Sequence, residues 1–173
     1  MGDETTVLDQ ASARHLIRRT GFGALPDDIE KLVGLTRGAA ADTVLAYRAR
    51  GFKPNGANID KARGKWVKYM AKSRTPLAEK LVLFWHDHFA TGYSKVQNIE
   101  LMGLQNKTLR LLGKGDMRVL VKAINKDAAM IEWLDTVRNH KDVPNENYGR
   151  ELQELFTLGV NDLRGNPNYR RTT

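Results

Sequence analysis

The sequence predicts an all-α fold, an irregular bundle of about eight or nine helices around a buried central helix at residues 76–90. Two observations carry that expectation. Helix start and stop signals recur from one end of the chain to the other, with Asp, Asn or Thr ahead of apolar-periodic stretches and Gly behind them. Period-two alternation of apolar and polar residues never persists beyond about five residues, and no repeat appears at about 30 to 45 residues, so neither a sheet nor a repeat array is indicated.

A first helix is expected over residues 8–20, with Leu8, Ala11, His15 and Arg18 or Arg19 on successive turns and Gly21 and Gly23 as its stop. Pro26 suits the first turn of a short second helix to Val33, because a first-turn residue has no intrahelical use for its N–H. Thr36 caps a third, which the pattern carries to about residue 50. Residues 51–58 hold Gly51, Pro54 and Gly56 and read as a loop. Residues 59–72 form an amphipathic helix. Thr75-Pro76 opens the central one, whose Leu77, Leu81, Val82, Leu83, Phe84, Trp85 and Phe89 lie on nearly every side. Further helices are expected at 98–112, 116–125 and 127–134, and a last one from the capping Asn145 to Leu158, stopped by Gly159. Residues 1–160 are thus expected to make one helical domain, and 161–173 a poorly ordered tail.

The chain has 173 residues, 41% of them hydrophobic, enough for one domain with its own core. It has no cysteine, which excludes disulfides, zinc–thiolate sites and cysteine nucleophiles. No apolar run reaches membrane-spanning length, and the acidic Met1-to-Thr5 start is not a secretory signal. The net charge of +8 is uneven: Lys61, Arg63, Lys65, Lys68, Lys72 and Arg74 fall in one stretch without an acid, six positive charges together.

The first chemical candidate is His86-Asp87-His88. On a helix, residues two apart point about 200° apart and cannot share one ion. They can do so only where the helix frays. His88 shares a stripe with Leu77, Leu81 and Phe84 and is expected to face inward, while His86 follows Val82 on another side. A metal ligand, or a base oriented by an acid, is the functional reading. The plainer reading is two buried histidines bonded to backbone carbonyls or carboxylates.

The second candidate is the last helix. Asn147, Arg150, Glu151 and Glu154 form a polar stripe, with Arg150 and Glu154 at the spacing of an ordinary helical ion pair. With Glu146, these glutamates are candidate metal ligands beside His86 and His88, and Glu151 joins the two histidines as a catalytic candidate. The Glu-x-x-His pairing common in helical metal centres is missing. Residues 135–142 offer oxygens without the calcium-loop order, and no Walker motif or nucleophile elbow occurs.

The third candidate is the stripe Lys61, Lys65, Lys68 and Lys72 at i, i+4, i+7 and i+11, a meeting place for phosphates or an anionic surface. Trp66 and Tyr69 lie off that stripe and read as anchors of the helix to the core. Lysine-rich solvated helices are common, so nucleic-acid binding is the weakest of the three readings.

These residues resemble a bacterial family known only as domain of unknown function 1800. The likeness rests on residues 15–23, 83–90, Gln105-Asn106, 127–130, 133–135 and 144–159, in the family's order. It implies that the chain corresponds to the N-terminal portion of longer proteins, many exported and therefore periplasmic in setting, and it implies no particular activity. Gly149 departs from the family's usual alanine, a change that costs a helix about 1 kcal/mol. The leading functional expectation is a non-catalytic scaffold that binds the remainder of a longer chain or a partner protein. A metal-dependent or general acid–base enzyme using a divalent ion at a His/Glu site is the alternative, and a basic-helix binder of anionic surfaces the second alternative.

Overall fold

The computed structural model describes residues 4–142 and 144–167. Among them run ten α-helices: α1 (Gln10–Thr20), α2 (Pro26–Glu30), α3 (Arg37–Leu45), α4 (Ile59–Lys72), α5 (Pro76–His88), α6 (Tyr93–Val96), α7 (Ile99–Leu112), α8 (Met117–Ile124), α9 (Ala128–Trp133) and α10 (Asn147–Glu151). A 3-10 turn, Thr136–Arg138, precedes α10, and α10 passes directly into a π-helical turn, Leu152–Thr157. Among the described residues only two isolated β-bridges occur, Val7 with Thr36 and Asn161 with Pro167. The fold is all-α, as the recurring helix signals predict.

Side-chain caps explain where the helices begin. A free backbone N–H in the first turn needs an acceptor, and Asp, Asn and Thr supply one. Asp9 accepts from Ser12 N at 2.8 Å, Thr36 from Ala39 N at 3.2 Å and Asn58 from Lys61 N at 2.9 Å. Asn98, Asp116 and Asp127 do the same for α7, α8 and α9. The boundaries differ from expectation in several places. With Asp9 as its cap, α1 begins at Gln10 instead of Leu8; α2 stops at Glu30, and α3 ends at Leu45. Thr75 does not cap α5 with its side chain; its backbone N–H donates to Ser73 Oγ at 3.1 Å. The expected cap at Asn145 is corrected: Glu146 stands at the cap position of α10 without a side-chain cap bond, and Asn145 Oδ1, one residue earlier, accepts from Asn147 N at 3.0 Å. The run to Leu158 is not one α-helix.

Two cores hold these elements together. Leu8, Ala13, Ile29, Leu32 and Ala40 form the smaller one from α1–α3. The larger gathers Val82, Phe89, Leu109, Leu120, Ile124, Met130, Leu134 and Phe156. Lys80 of α5 ties the two, donating to the Arg18 and Gly21 carbonyls at 3.1 and 2.9 Å, where a cation also complements the end of α1.

Helix α5 is central, packing against α7, α4 and α1. Its buried side is Ala78, Glu79, Val82 and Phe89, with Trp85 between them. The expected burial on every side is therefore corrected: no described element covers Leu83 and Phe84, and they stay exposed. Trp85 reaches past α7 to donate to the Gly113 carbonyl at 2.6 Å. A Cβ on Gly113 would lie 2.6 Å from Trp85 Cδ1, so only glycine admits the indole there. The expected tail is described as far as Pro167, where Asp162 accepts from the Arg164 and Asn166 backbones at 2.8 Å; residues 168–173, like 1–3, lie outside the described residues.

Candidate functional site

The two histidines of α5 face different surroundings, as their spacing on an unbroken helix dictates. His88 Nε2 meets the Phe156 carbonyl at 3.0 Å, its ring stacked parallel to Phe84 and edge-on to Phe89. It therefore joins α5 to the π turn. His86 turns towards α4, where Trp66 meets it edge-on at 5.4 Å between centroids. Its Nδ1 is sealed from solvent with no partner among the described residues. Burial holds the His86 imidazole below the ordinary histidine range, against the pull of the Asp87 charge.

His86 also lines a cavity of ≈ 200 Å³ between α4, α5, α6 and α7, shared with Ile59, Trp66, Tyr93, Met102 and Asn106. Beneath Trp66 and Asn106 lies a buried ionic network. Arg110 Nε and Nη2 grip Glu79 at 2.5 and 2.7 Å, and Nη2 also reaches Asn106 Oδ1 at 2.8 Å. Arg110 Nη1 donates to the Phe52 carbonyl at 2.6 Å, and Trp66 Nε1 donates to Glu79 Oε2 at 3.2 Å. Phe52 and Tyr69 stack on each other at 4.0 Å and flank the guanidinium. Every polar atom of a buried charge needs such a partner, because uncompensated burial costs several kcal/mol per ion. A second buried chain runs from the Thr91 hydroxyl to Gln105 and on to Asp127, whose Oδ1 accepts from Gln105 Nε2 at 2.8 Å and Met130 N at 3.0 Å. Burial pushes the Asp127 carboxyl up, with its hydrogen bonds opposing.

Sequence reasoning missed the first network. The signal was present: Gly103, Asn106 and Arg110 recur at i, i+3 and i+7 on the face of α7 that a purely apolar core would have claimed, and all three are buried. Glycine at 103 is required by a close approach, since a Cβ there would collide with the Pro54 carbonyl oxygen.

The glutamates do not converge on the histidines. Glu146 is exposed ahead of α10, Glu151 lies 3.6 Å from Arg150, and Glu154 sits half-buried in the π turn. Arg150 Nη2 donates to Asn147 Oδ1 at 2.9 Å, so the expected Arg150–Glu154 pair is replaced by Asn147 and Glu151. The reason is the change of winding at Leu152: with i→i+5 bonding, such as Leu158 N to Gln153 O at 2.9 Å, residue 154 rotates off the stripe. Among the described residues no group of three or more His, Asp or Glu is placed to hold a metal ion, so His86, His88, Glu146, Glu151 and Glu154 do not form one ligand set.

Lys61, Lys65, Lys68 and Lys72 are all exposed along α4, with Lys65 Nζ donating to Asn55 Oδ1 at 2.8 Å. Trp66 and Tyr69 are turned to the core instead, one on Glu79 and the other on Phe52. No described helix is long and apolar enough to cross a membrane.

No curated protein and no solved structure matches the chain. The model of one family does, over residues 15–170, a span that takes in α2–α10, both histidines of α5 and the π turn. The chain belongs to the family described as protein of unknown function (DUF1800).

Proposed function

We propose that this chain is a non-catalytic helical scaffold, the partner-binding portion of an exported protein, and that its partner docks on the apolar edge where α5 meets the π turn. One observation carries the reading. Phe84, Leu155 and Leu158 are 57%, 59% and 61% exposed around the His88–Phe156 junction. Phe84 stacks on His88, which bonds to Phe156, and Leu155 and Leu158 flank Phe156 in the chain. Exposed large apolar side chains on both sides of one junction suit a surface that another chain covers. The polar groups nearby support the same reading, because His88 is committed to a backbone carbonyl and Glu79 to Arg110. The family resemblance is what supports the exported setting.

Serine at Leu155 and Leu158 tests the proposal. Both side chains are exposed, so stability should shift by less than about 0.5 kcal/mol each. Association with whatever protein co-purifies with the native chain should be lost. A partner retained at full yield by the well-folded double variant contradicts the proposal.

A further inference from the structure

The cavity beside His86 is lined by apolar and neutral polar side chains with one cation. Among its side chains there is no carboxylate. Asn106 Oδ1 is taken by Arg110, a pure donor, which fixes the amide orientation and leaves Asn106 Nδ2 as a donor with no partner among the described residues. His86 adds a second donor. Its sealed Nδ1 lacks a partner, and an unpaired N–H is tolerated in a protein interior less readily than an unpaired acceptor. The proton of the neutral ring therefore belongs on Nε2, which no described protein group engages. Arg63, at the rim and loosely paired with Asp60 at 3.6 Å, brings a positive charge to the same opening. The Thr91 hydroxyl is already committed to Gln105.

Size and walls define the rest of the guest. An apolar cavity of about 150 Å³ admits a benzene ring, so ≈ 200 Å³ leaves room for one six-membered ring with a small substituent. Trp66 and Tyr93 contribute aromatic side chains to the lining, and Ile59 and Met102 aliphatic ones. We infer that this cavity is a binding site for a small monocyclic aromatic carboxylate, its ring held between Trp66 and Tyr93 and its carboxylate accepting from His86 Nε2, Asn106 Nδ2 and Arg63. This site is separate from the apolar seam, since neither Phe84 nor Leu155 lines it.

Ligand-detected NMR and calorimetry on the whole chain with benzoate, benzamide and benzylamine test the inference near neutral pH. Benzoate is expected to bind best, benzamide more weakly through the shared carbonyl, and benzylamine, which presents only donors and a like charge, not at all. His86→Phe keeps a ring of similar shape and removes one donor, so benzoate affinity should fall about tenfold. Ile59→Trp, at the start of α4, fills the cavity and should abolish binding without touching a polar group. Should His86→Phe fail to fold, the probe series and Ile59→Trp still decide. No saturation by benzoate at about 10 mM, equal binding of benzoate and benzylamine, or benzoate affinity unchanged in a folded Ile59→Trp variant would each overturn the inference.

Discussion

Arg110 holds Glu79 through two parallel hydrogen bonds, and the two side chains are 0% and 1% exposed. Planar, two-pronged pairing is the geometry that suits a guanidinium and a carboxylate, and here Asn106, Trp66 and the Phe52 carbonyl occupy the remaining lone pairs and protons. Such a pair adds little over a well-packed apolar replacement of both residues, but breaking it leaves a naked charge in the core. Arg110→Met should therefore cost about 3 to 5 kcal/mol of unfolding free energy. The double variant Glu79→Leu/Arg110→Met should recover much of that loss. Urea denaturation checks both, and a single variant as stable as the parent would show that the pair is not closed in solution.

Protonation of His86 gives a second prediction. Its folded-state affinity for a proton is lowered by burial, while the unfolded chain keeps the ordinary value of 6.5. The unfolded state thus binds more protons just below pH 6.5, so stability is whole above that pH and falls as pH drops through the folded-state pKa. Thermal melts as a function of pH should show this slope in the parent and lose it in a folded His86→Phe variant. An unchanged slope in the variant would assign the effect elsewhere.

Two glycines should respond with opposite sign. Gly149 lies inside α10 with nothing within 4 Å of where a methyl group would sit, so Gly149→Ala should stabilise by about 0.5 to 1 kcal/mol through helix preference. Gly103→Ala runs into the Pro54 carbonyl oxygen and should destabilise by about 1 to 3 kcal/mol. Calorimetry on the pair separates backbone preference from crowding, and a shared sign would refute the packing of the 51–58 loop on α7.

Much of this is legible from residue order. The caps at Thr36, Asn58 and Asn98 announce their helices because a side-chain oxygen and the N–H groups it serves are only two or three residues apart. The split between the lysine stripe and the inward Trp66 and Tyr69 follows from helical spacing alone. What escapes depends on distant partners. Glu79 and Arg110 are 31 positions apart, and the His88–Phe156 bond spans 68, so no local pattern joins them. The π turn at Leu152–Thr157 is built largely from Leu, Gln and Glu, which suit an α-helix equally well; it follows Gly149, the weakest helix former on that stretch. The exposure of Phe84 is hidden in the same way, because an apolar residue on a mostly apolar helix does not reveal which side lacks a neighbour.

The candidate ligands lie on separate faces, His86 towards Trp66 and His88 towards Phe156, with Glu146 exposed ahead of α10. Protein purified without chelator should accordingly carry well under one equivalent of any transition metal, and His86→Ala/His88→Ala should leave that content unchanged. Near-stoichiometric metal that disappears in the variant would restore the metalloenzyme reading and require the π turn to rearrange.

Under the proposed function, Phe84, Leu155 and Leu158 are covered by a specific partner. The direct measurement places a photo-crosslinking amino acid at Leu155 in the natively produced protein, and for comparison at Lys68 on the exposed lysine stripe of α4. Crosslinking from Leu155 to one defined peptide, whether from a longer form of this chain or from another protein, with none from Lys68, is the predicted result. Equal and diffuse labelling from both positions would contradict it, because the seam would then be an ordinary stretch of surface.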